Sequence, residues 1–300
     1  PPRSTLFPYT TLFRSTGWGL NDHGQGDVPM ELSSVVTVAC GIWHSIAVRE
    51  DGSVVAWGFN QNGQTNIPKG LSNVVAVSAR HHNLALKTDG TVVAWGDNEF
   101  GQCDVPVGLS NVVAVAAGGS YSLALRSDGT VASWGRGTGK LLPSGLHGIQ
   151  SLGRQSLALK ADRSLTGWGL GDESKPPISL TNVKTFAEGV VHALAVQFEG
   201  TVVAWGNNTF SQSTIPDGLT DPIGLAAGWY HSLALESDGT VVAWGAGSAG
   251  TTGSGHPHYG QSVVPSGLRG VAAISAGAYH SVALKTDGTL WCWGAANLGD

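Results

Sequence analysis

The chain has 300 residues, 12% of them charged, and a formal net charge of −5. This acidic balance disfavours nucleic acid as the main partner, because proteins that bind nucleic acid neutralise phosphates with clustered Lys and Arg. No apolar run approaches the length of a membrane span, and three cysteines without C-x-x-C spacing indicate neither a disulfide framework nor a zinc site.

Residues 1–15 do not share the pattern of the rest of the chain. Their sequence, PPRSTLFPYTTLFRS, is residue for residue the translation of a widely used short-read sequencing adapter. We interpret this segment as a non-native tail and exclude it from the fold prediction. Without its two arginines, 14 basic residues stand against 21 acidic ones, and the formal charge becomes −7.

A strand-like motif that ends in Trp-Gly recurs through residues 16–300. The successive Trp residues of this motif, from Trp18 to Trp293, lie 39, 38, 39, 34, 37, 39 and 49 residues apart. A period of this size indicates a solenoid, a propeller or another repeat array. Ending each unit at its Trp-Gly pair gives seven repeats of 34–49 residues, which are 20–58, 59–96, 97–135, 136–169, 170–206, 207–245 and 246–294.

The second repeat shows the predicted elements most clearly. Two β runs, 84–86 and 92–95, flank Asp89-Gly90, and an Asp-Gly pair between apolar runs is a strong hairpin signal because Gly supplies positive φ freely. Residues 74–77 form a third run. Residues 66–68 can form an edge strand at most, since they end at proline. The pattern predicts about four short strands in each repeat and no helical period.

Two of these runs, the third one and the one that ends in Trp-Gly, are apolar on both faces, which is typical of strands that are covered on both sides. A single sheet cannot cover itself, so neighbouring repeats must stack face to face. Because the units are sheet-only and number seven, we predict an all-β fold, a seven-bladed β-propeller of four-stranded repeats, rather than a linear solenoid. The chain holds eight Trp-Gly strands, and we expect residues 289–294, rather than 16–19, to complete the closing blade.

The fourth repeat departs from the pattern of the others. Its hairpin turn reads Asp162-Arg163 where the other six turns have Gly in second place, and it lacks the usual Gly-Gln pair and part of the loop before Gln155. A residue other than glycine is strained at positive φ. We therefore expect the fourth repeat to be the least stable blade.

The string Gly-x-x-His-Ser-Leu-Ala-Leu-x-x-Asp-Gly-Thr-Val-x-Ala-Trp-Gly is clearest at residues 228–245 and 277–294. It resembles the repeat of the regulator-of-chromosome-condensation family, whose members form seven-bladed propellers. The family includes a eukaryotic nucleotide-exchange factor, a plant ultraviolet receptor and a secreted bacterial inhibitor of β-lactamases. The short repeats with Gly-Gln-x-x-Val/Ile-Pro connectors are most similar to the bacterial members, including the inhibitor.

Equivalent loops differ most on one predicted face, which we call the top face. It carries the turn before each repeat histidine and the loop after each Trp-Gly pair. Aromatic residues in variable loops are typical anchors of protein interfaces, and the resemblance to the inhibitor implies partner contacts for Trp43, Trp229, Tyr230 and Tyr279. The alternative is that these rings only contact neighbouring loops. The candidate partner-binding residues are Trp43, Phe59, His81, Phe100, Phe210, Trp229, Tyr230, His256, His258 and Tyr279.

The longest interruption of the repeat, residues 246–260, is predicted to lie on the same face. Its Gly, Ser and Thr content predicts a loop, and insertions on one face of a repeat protein often form its binding face. His256 and His258 belong to this insertion. Two histidines without a third ligand in view do not predict a metal site, and neither a metal nor a cofactor is expected.

Five histidines hold one repeat position and are therefore interpreted as hydrogen-bonding groups of the blade turns rather than as catalysts. No Gly-x-Ser-x-Gly elbow, phosphate-binding loop or pair of catalytic carboxylates occurs in the sequence. We predict a non-enzymatic scaffold, part of a secreted or cell-surface protein, that binds a protein partner through its top face. Carbohydrate binding on the same loops, β-lactamase inhibition and an enzyme with a site in the central channel remain as alternatives.

Overall fold

The computed structural model of the chain describes residues 16–17, 23–136, 146–153, 156–168, 171–219, 221–247 and 258–294. These residues form an all-β fold of 22 strands, in which the one helical segment described is the 3₁₀ turn η1 (Asp172–Ser174). The tail that the sequence analysis interprets as adapter-derived lies outside the described residues, as do His256 and most of the insertion.

Consecutive strands form seven antiparallel sheets of three strands, the blades, and one further strand, β1 (Thr16–Gly17), is added to the last of them. The predicted seven-bladed propeller is therefore confirmed. In chain order the blades contain β2 (Val35–Cys40), β3 (His44–Arg49) and β4 (Val54–Gly58); β5 (Val74–Ala79), β6 (His82–Lys87) and β7 (Val92–Gly96); β8 (Val112–Ala117), β9 (Tyr121–Arg126) and β10 (Val131–Gly135); β11 (Ile149–Leu152), β12 (Leu157–Lys160) and β13 (Leu165–Gly167); β14 (Val183–Glu188), β15 (His192–Gln197) and β16 (Val202–Gly206); β17 (Gly224–Ala227), β18 (His231–Leu235) and β19 (Val241–Gly245); β20 (Val271–Ala276), β21 (His280–Lys285) and β22 (Leu290–Gly294).

The first strand of each blade lies innermost, around a central channel. Six of these strands line one cavity of about 220 Å³. The ring is closed, because Val35 and Cys40 of the first blade share a buried core cluster with Val282, Leu290 and Cys292 of the last blade. The turn between the first two strands of a blade and the loop after its third strand therefore meet on one face, as the sequence predicts for the top face.

Contact between neighbouring blades depends on an alternation of large and small residues in the middle strands. The alanine at the centre of each middle strand has no exposed surface. In the first of these contacts, Ile46 and Val48 of blade one share a cluster with Ala85 of blade two. The same arrangement follows one blade later, where Leu84 and Leu86 meet Ala124. A larger residue at such an alanine would force the blades apart. Overfilling a core in this way reduces the free energy of unfolding by about 1–3 kcal/mol.

Among the described residues, no connector forms the predicted fourth strand, and this part of the prediction is wrong there. In the second repeat the N–H groups of Asn66 and Ile67 donate to Gly63 and Thr65, at 3.1 and 3.0 Å, within local turns. Pro68 has no N–H to donate. Because these N–H groups are used or absent, they form no ladder hydrogen bonds with β7, and the connector runs past the edge of that strand as turns.

The closing blade is completed by the last Trp-Gly strand, as expected. β22 pairs antiparallel with β21, and Trp293 lies opposite Ser281. The surplus Trp-Gly segment at the start of the chain neither leaves β1 unpaired nor displaces β22 from β21. β1 instead pairs in parallel with the outer edge of β22, at Trp291 and Cys292. An outer strand presents unpaired backbone groups, and the two residues of β1 satisfy part of that edge.

The hairpin turns on the bottom face have the geometry that Asp-Gly pairs predict. Gly90 has a φ of 76°, and Asp89 Oδ1 accepts the N–H of Thr91 at 3.0 Å. In the fourth repeat, Arg163 takes the glycine position with a φ of 66°. Its guanidinium lies over the ring of Phe198, 5.2 Å from the centroid. Blade four therefore has a strained turn that a cation–π contact offsets in part.

Replacing Arg163 with glycine is expected to stabilise the protein by about 0.5–1 kcal/mol. The left-handed conformation costs a residue with a Cβ roughly 1–2 kcal/mol, and the lost cation–π contact is worth about 0.5–1 kcal/mol. Urea unfolding measures the change, and the reverse exchange, Gly90→Arg, is the matched control that should destabilise. Hydrogen exchange should also be fastest in blade four. Protection equal to that of blades two and six would contradict its assignment as the weakest blade.

Candidate functional site

On the top face, a histidine of one blade is hydrogen-bonded to the next blade. Between blades five and six, His192 Nε2 lies 2.8 Å from Ser232 Oγ, and Ser232 Oγ donates to the Gln212 carbonyl at 2.8 Å. Because the hydroxyl has a single proton and gives it to the carbonyl, the histidine nitrogen is the donor. Trp244 Nε1 donates to the same carbonyl at 2.9 Å. The carbonyl thus uses both lone pairs, and the turn that carries His192 is fixed against blade six.

The same link recurs at four other junctions between blades, at one of them with asparagine in place of serine. In blade two, Asn83 replaces serine, so that its Oδ1 accepts from His44 Nε2 at 2.6 Å and its Nδ2 donates to the Gln64 carbonyl at 2.7 Å. One amide therefore performs both functions of the hydroxyl. Further links of this kind join His82 to Ser122, His231 to Ser281 and His280 to Ser45.

The repeat histidines are buried, and three of them have a pKa that keeps the ring neutral at pH 7. Burial lowers the pKa of His82 and His231 to about 3 and that of His192 to about 4, with smaller contributions from neighbouring groups. A neutral imidazole with one donating nitrogen matches the hydrogen bonds described above. This geometry agrees with the interpretation of the repeat histidines as turn groups.

Around blade four the series of histidine–serine links is interrupted, and hydrogen bonds to a glutamate take its place. Tyr121 stands at the histidine position of blade three, and Ala193 stands at the serine position of blade five. Glu188, at the end of β14, is 3% exposed. It accepts the N–H and the hydroxyl of Ser156, both at 2.7 Å, and the N–H of Leu157 at 3.3 Å. A buried carboxylate therefore joins blade five to blade four, in the opposite direction to the histidine links.

The connector glutamines, which follow Gly or, in the case of Gln212, Ser211, hold the backbone of the residues that precede them. The side-chain oxygen of Gln212 accepts the N–H of Phe210 at 2.8 Å, and that of Gln261 accepts the N–H of Tyr259 at 2.8 Å. These glutamines have no exposed surface. An aromatic residue two positions before such a glutamine is therefore presented on a fixed loop.

Nine aromatic side chains in loops of blades six, seven and one form a continuous network, which we call the aromatic face. Tyr279 lies at its centre, with ring centroids 5.2 Å from Trp43, 5.1 Å from Trp229 and 5.2 Å from Tyr259. Tyr279 is 3% exposed, and the pKa of its hydroxyl is raised by burial. The members of the aromatic face are His23, Trp43, Phe59, Phe210, Trp229, Tyr230, His258, Tyr259 and Tyr279.

The network extends from this centre in two directions. On one side Phe210 lies 5.2 Å from Tyr230 and 5.5 Å from His258. On the other side His23 lies 5.6 Å from Trp43 and 4.8 Å from Phe59. Trp43, Trp229 and Tyr230 are half-buried. The rings therefore contact one another, as the alternative interpretation holds, and still present partly exposed surfaces.

Seven of the ten predicted site residues belong to this network, whereas His81 and Phe100 do not. Phe100 lies beneath the guanidinium of Arg136, 4.7 Å from the ring centroid. His81 is exposed on blade two, and among the described residues no ring contact links it to the aromatic face. His23 and Tyr259 were missed, although both precede a Gly-Gln pair as Phe100 does.

The described part of the chain contains neither a metal-binding cluster nor a membrane-spanning helix. Its His, Cys, Asp and Glu residues include no group of three placed to hold a metal ion. None of its helices has the length and apolar character needed to cross a membrane.

A closed ring of three-stranded blades, joined by His, Ser, Gln and Trp side chains, defines the molecule as a repeat β-propeller. Five segments match the regulator of chromosome condensation (RCC1) repeat, at residues 35–64, 74–102, 112–138, 223–251 and 271–299. The chain belongs to the RCC1-repeat family. The comparison with curated proteins found no match.

Solved structures with the same fold come from plants and from a bacteriophage. The entire ectodomain of the Physcomitrella patens receptor kinase CR4 is 21% identical, over 88% of this chain and 75% of that one, with a TM-score of 0.70. The CRINKLY WD40 ectodomain of the Arabidopsis thaliana receptor kinase ACR4 is 19% identical, over 88% and 96%, with a TM-score of 0.68. The C-terminal domain of gp131 from bacteriophage phiKZ is 11% identical, over 88% and 92%, with a TM-score of 0.53.

Proposed function

We propose that the chain is a non-enzymatic interaction module that binds a protein partner through its aromatic face. The supporting observation is the uneven distribution of rings over equivalent positions. The two residues before the histidine are Trp229 and Tyr230 in blade six but Val190 and Val191 in blade five. Blade three has glycine and serine there and forms the same turn. The fold does not require aromatic residues at these positions, so another role explains their concentration in three adjacent blades.

The arrangement suits protein binding. Trp and Tyr are the residue types that dominate binding energy when they lie together in a well-ordered patch. Tyr279 forms a buried floor under Trp43 and Trp229, and the glutamine hydrogen bonds hold the loops of Phe210 and Tyr259. A surface ordered before binding loses little conformational entropy on association.

The proposal is tested with two variants of residues 16–300. In the first, Trp43, Trp229 and Tyr230 are changed to alanine; in the matched control, His81 and Phe100 of the same face are changed to alanine. A captured partner, identified and purified, should bind the first variant about 100-fold or more weakly, since dominant contact residues each contribute about 2 kcal/mol or more. The control should bind as the unchanged chain does. A panel of β-lactamases is a defined first set of partners, because the sequence resembles their inhibitor.

Three outcomes would overturn the proposal. Equal affinity of both variants, with both folded, would move the interface away from the aromatic face. Competition by soluble glycans, with no protein retained, would favour the carbohydrate-binding alternative on the same rings. Turnover of a substrate that survives loss of the three rings would contradict the non-enzymatic assignment.

A further inference from the structure

We propose that the central channel binds a small uncharged molecule that carries a hydroxyl group on an apolar body. This site is separate from the aromatic face, so the inference goes beyond the proposed function. It is carried by the volume of the channel, by the apolar side chains around it and by the hydrogen-bonding groups that face it.

The cavity in the channel has the size and the apolar lining of a small-molecule site. Its volume is about 220 Å³, whereas an engineered apolar cavity of about 150 Å³ already admits benzene. Partly exposed apolar side chains at equivalent positions of six first strands surround it, and we call them the apolar belt: Val38, Val77, Leu152, Phe186, Leu225 and Ile274. A ligand with an apolar body would remove this surface from water.

Two serine hydroxyls follow the apolar belt by one residue along their strands. Ser78 Oγ accepts the N–H of Ala117 in the neighbouring blade at 2.9 Å, and it donates its own proton to none of the described residues. Ser275 holds the equivalent position in blade seven, is 9% exposed and lines the cavity. Its Oγ makes no hydrogen bond with any described residue. Buried polar groups are rarely left unpaired, so these hydroxyls favour an occupant that forms hydrogen bonds.

The backbone around the channel also disfavours a purely apolar occupant. The first strand of each blade pairs along one edge only, with the middle strand, so its other edge presents N–H and C=O groups to the channel. Such groups need polar partners. Among the described residues that line the upper end, Glu188 and Arg80 supply one charge of each sign. No net charge there selects an ion, and an uncharged ligand fits best.

The bottom face offers the way into the cavity. At the top, the N–H of Ile42 donates to the Arg80 carbonyl at 3.0 Å, and that of Trp229 donates to the Ala278 carbonyl at 3.3 Å. These bonds draw neighbouring turns together over the channel, and Ile42 and Ala278 are buried there. At the bottom, aliphatic side chains at or beside the start of four first strands are about half exposed: Val36, Val75, Val113 and Ile223. A small molecule with an apolar body therefore enters from this end.

The test compares benzyl alcohol with toluene, which lacks the hydroxyl group, in ligand-observed NMR titrations of the folded chain. We expect benzyl alcohol to bind saturably and about fivefold more tightly than toluene, since one neutral hydrogen bond contributes about that factor. Ser275→Ala should remove the preference, and the fold accepts alanine there, as Ala39 and Ala226 show. Val38→Phe combined with Val77→Phe repeats the side chain of Phe186 in two more blades, so it should fill the cavity and abolish binding. Thermal unfolding checks that both variants fold.

Each result decides the inference. Binding of benzyl alcohol that the double phenylalanine variant abolishes and Ser275→Ala weakens supports it. Binding of neither probe overturns it and leaves the channel to water. Binding that the double variant retains places the probes elsewhere and also overturns it. Equal affinity for the two probes contradicts the hydroxyl group as part of the ligand. Phe100→Ala, on the top face, is the control, and a loss of binding there as large as in the double variant would overturn the assignment to the channel.

Discussion

Lowering the pH from 7 to 5 is expected to reduce the free energy of unfolding by several kcal/mol, because three buried histidines resist protonation. The pKa of His82, His192 and His231 is lowered from 6.5 to about 3–4 by burial. In the unfolded chain the same side chains have their ordinary pKa and bind protons as the pH falls below about 6.5. As the pH falls, the unfolded state binds protons that the folded state does not bind, so acid favours unfolding.

The sign of this pH dependence and the pH range over which it acts follow from the lowered pKa values of the three histidines. The stabilisation is fully present above pH 6.5 and declines as the pH falls towards 3–4. At pH 5 each histidine contributes a loss on the order of 1–2 kcal/mol, since one pKa unit corresponds to 1.36 kcal/mol. Protonation would add a proton to Nδ1 of His192 and leave the Nε2–H donor to Ser232 in place, so the penalty is that of a buried charge rather than of a lost hydrogen bond.

Glutamine variants separate this effect from the titration of carboxylates. Glutamine can donate through its amide and cannot titrate, so His82→Gln, His192→Gln and His231→Gln together should flatten the dependence of stability on pH between 7 and 5. Urea unfolding at both pH values measures the difference. If the triple variant keeps the pH dependence of the unchanged chain, the histidines are not its source.

Much of the fold is predictable because each blade repeats a local signal. Asp-Gly specifies a hairpin, and the spacing of Trp-Gly pairs specifies the number of blades. The fourth strand was overpredicted for a reason that is equally local. An apolar residue before proline, such as Ile67, suggests a strand, but its N–H is taken by the turn at Thr65. Whether such an N–H donates to a local turn or to a neighbouring strand depends on the turn geometry rather than on the apolar pattern.

The residue types of the site were predictable from the sequence, but which residues come together in it was not. Repeat positions place Trp43, Trp229 and Tyr279 on one face, whereas only the closed ring shows that blades six, seven and one bring them together. His81 holds an equivalent position and lies apart, since its blade lacks ring partners. Tyr259 could have been found by aligning the residues before the Gly-Gln pairs. Glu188 could not, because its partner belongs to the neighbouring blade.

Changing Glu188 to alanine is expected to destabilise the protein by about 2–4 kcal/mol, and to do so at the seam between blades four and five. Other blades carry alanine or cysteine at this position, as Ala79 and Cys40 show, so the smaller side chain itself fits the fold. The loss comes instead from Ser156, whose N–H and hydroxyl would lose their acceptor in a buried place. Hydrogen bonds to a charged group contribute about 1.5–3 kcal/mol each, and an unsatisfied buried donor costs about 1–3 kcal/mol.

A double-mutant cycle with Ser156→Ala tests the origin of that loss. If the carboxylate acts through the serine hydroxyl, the two changes together should cost about 1–2 kcal/mol less than the sum of the single changes. Additive losses would show that Glu188 acts elsewhere in the channel. Glu188→Gln should recover part of the stability, because an amide oxygen still accepts from the backbone N–H of Ser156. Hydrogen exchange should rise in β11–β13 and not in β5–β7. Blade four lacks the histidine link and contains the strained Arg163 turn, so we expect the hydrogen bonds of Glu188 to contribute strongly to its attachment to blade five.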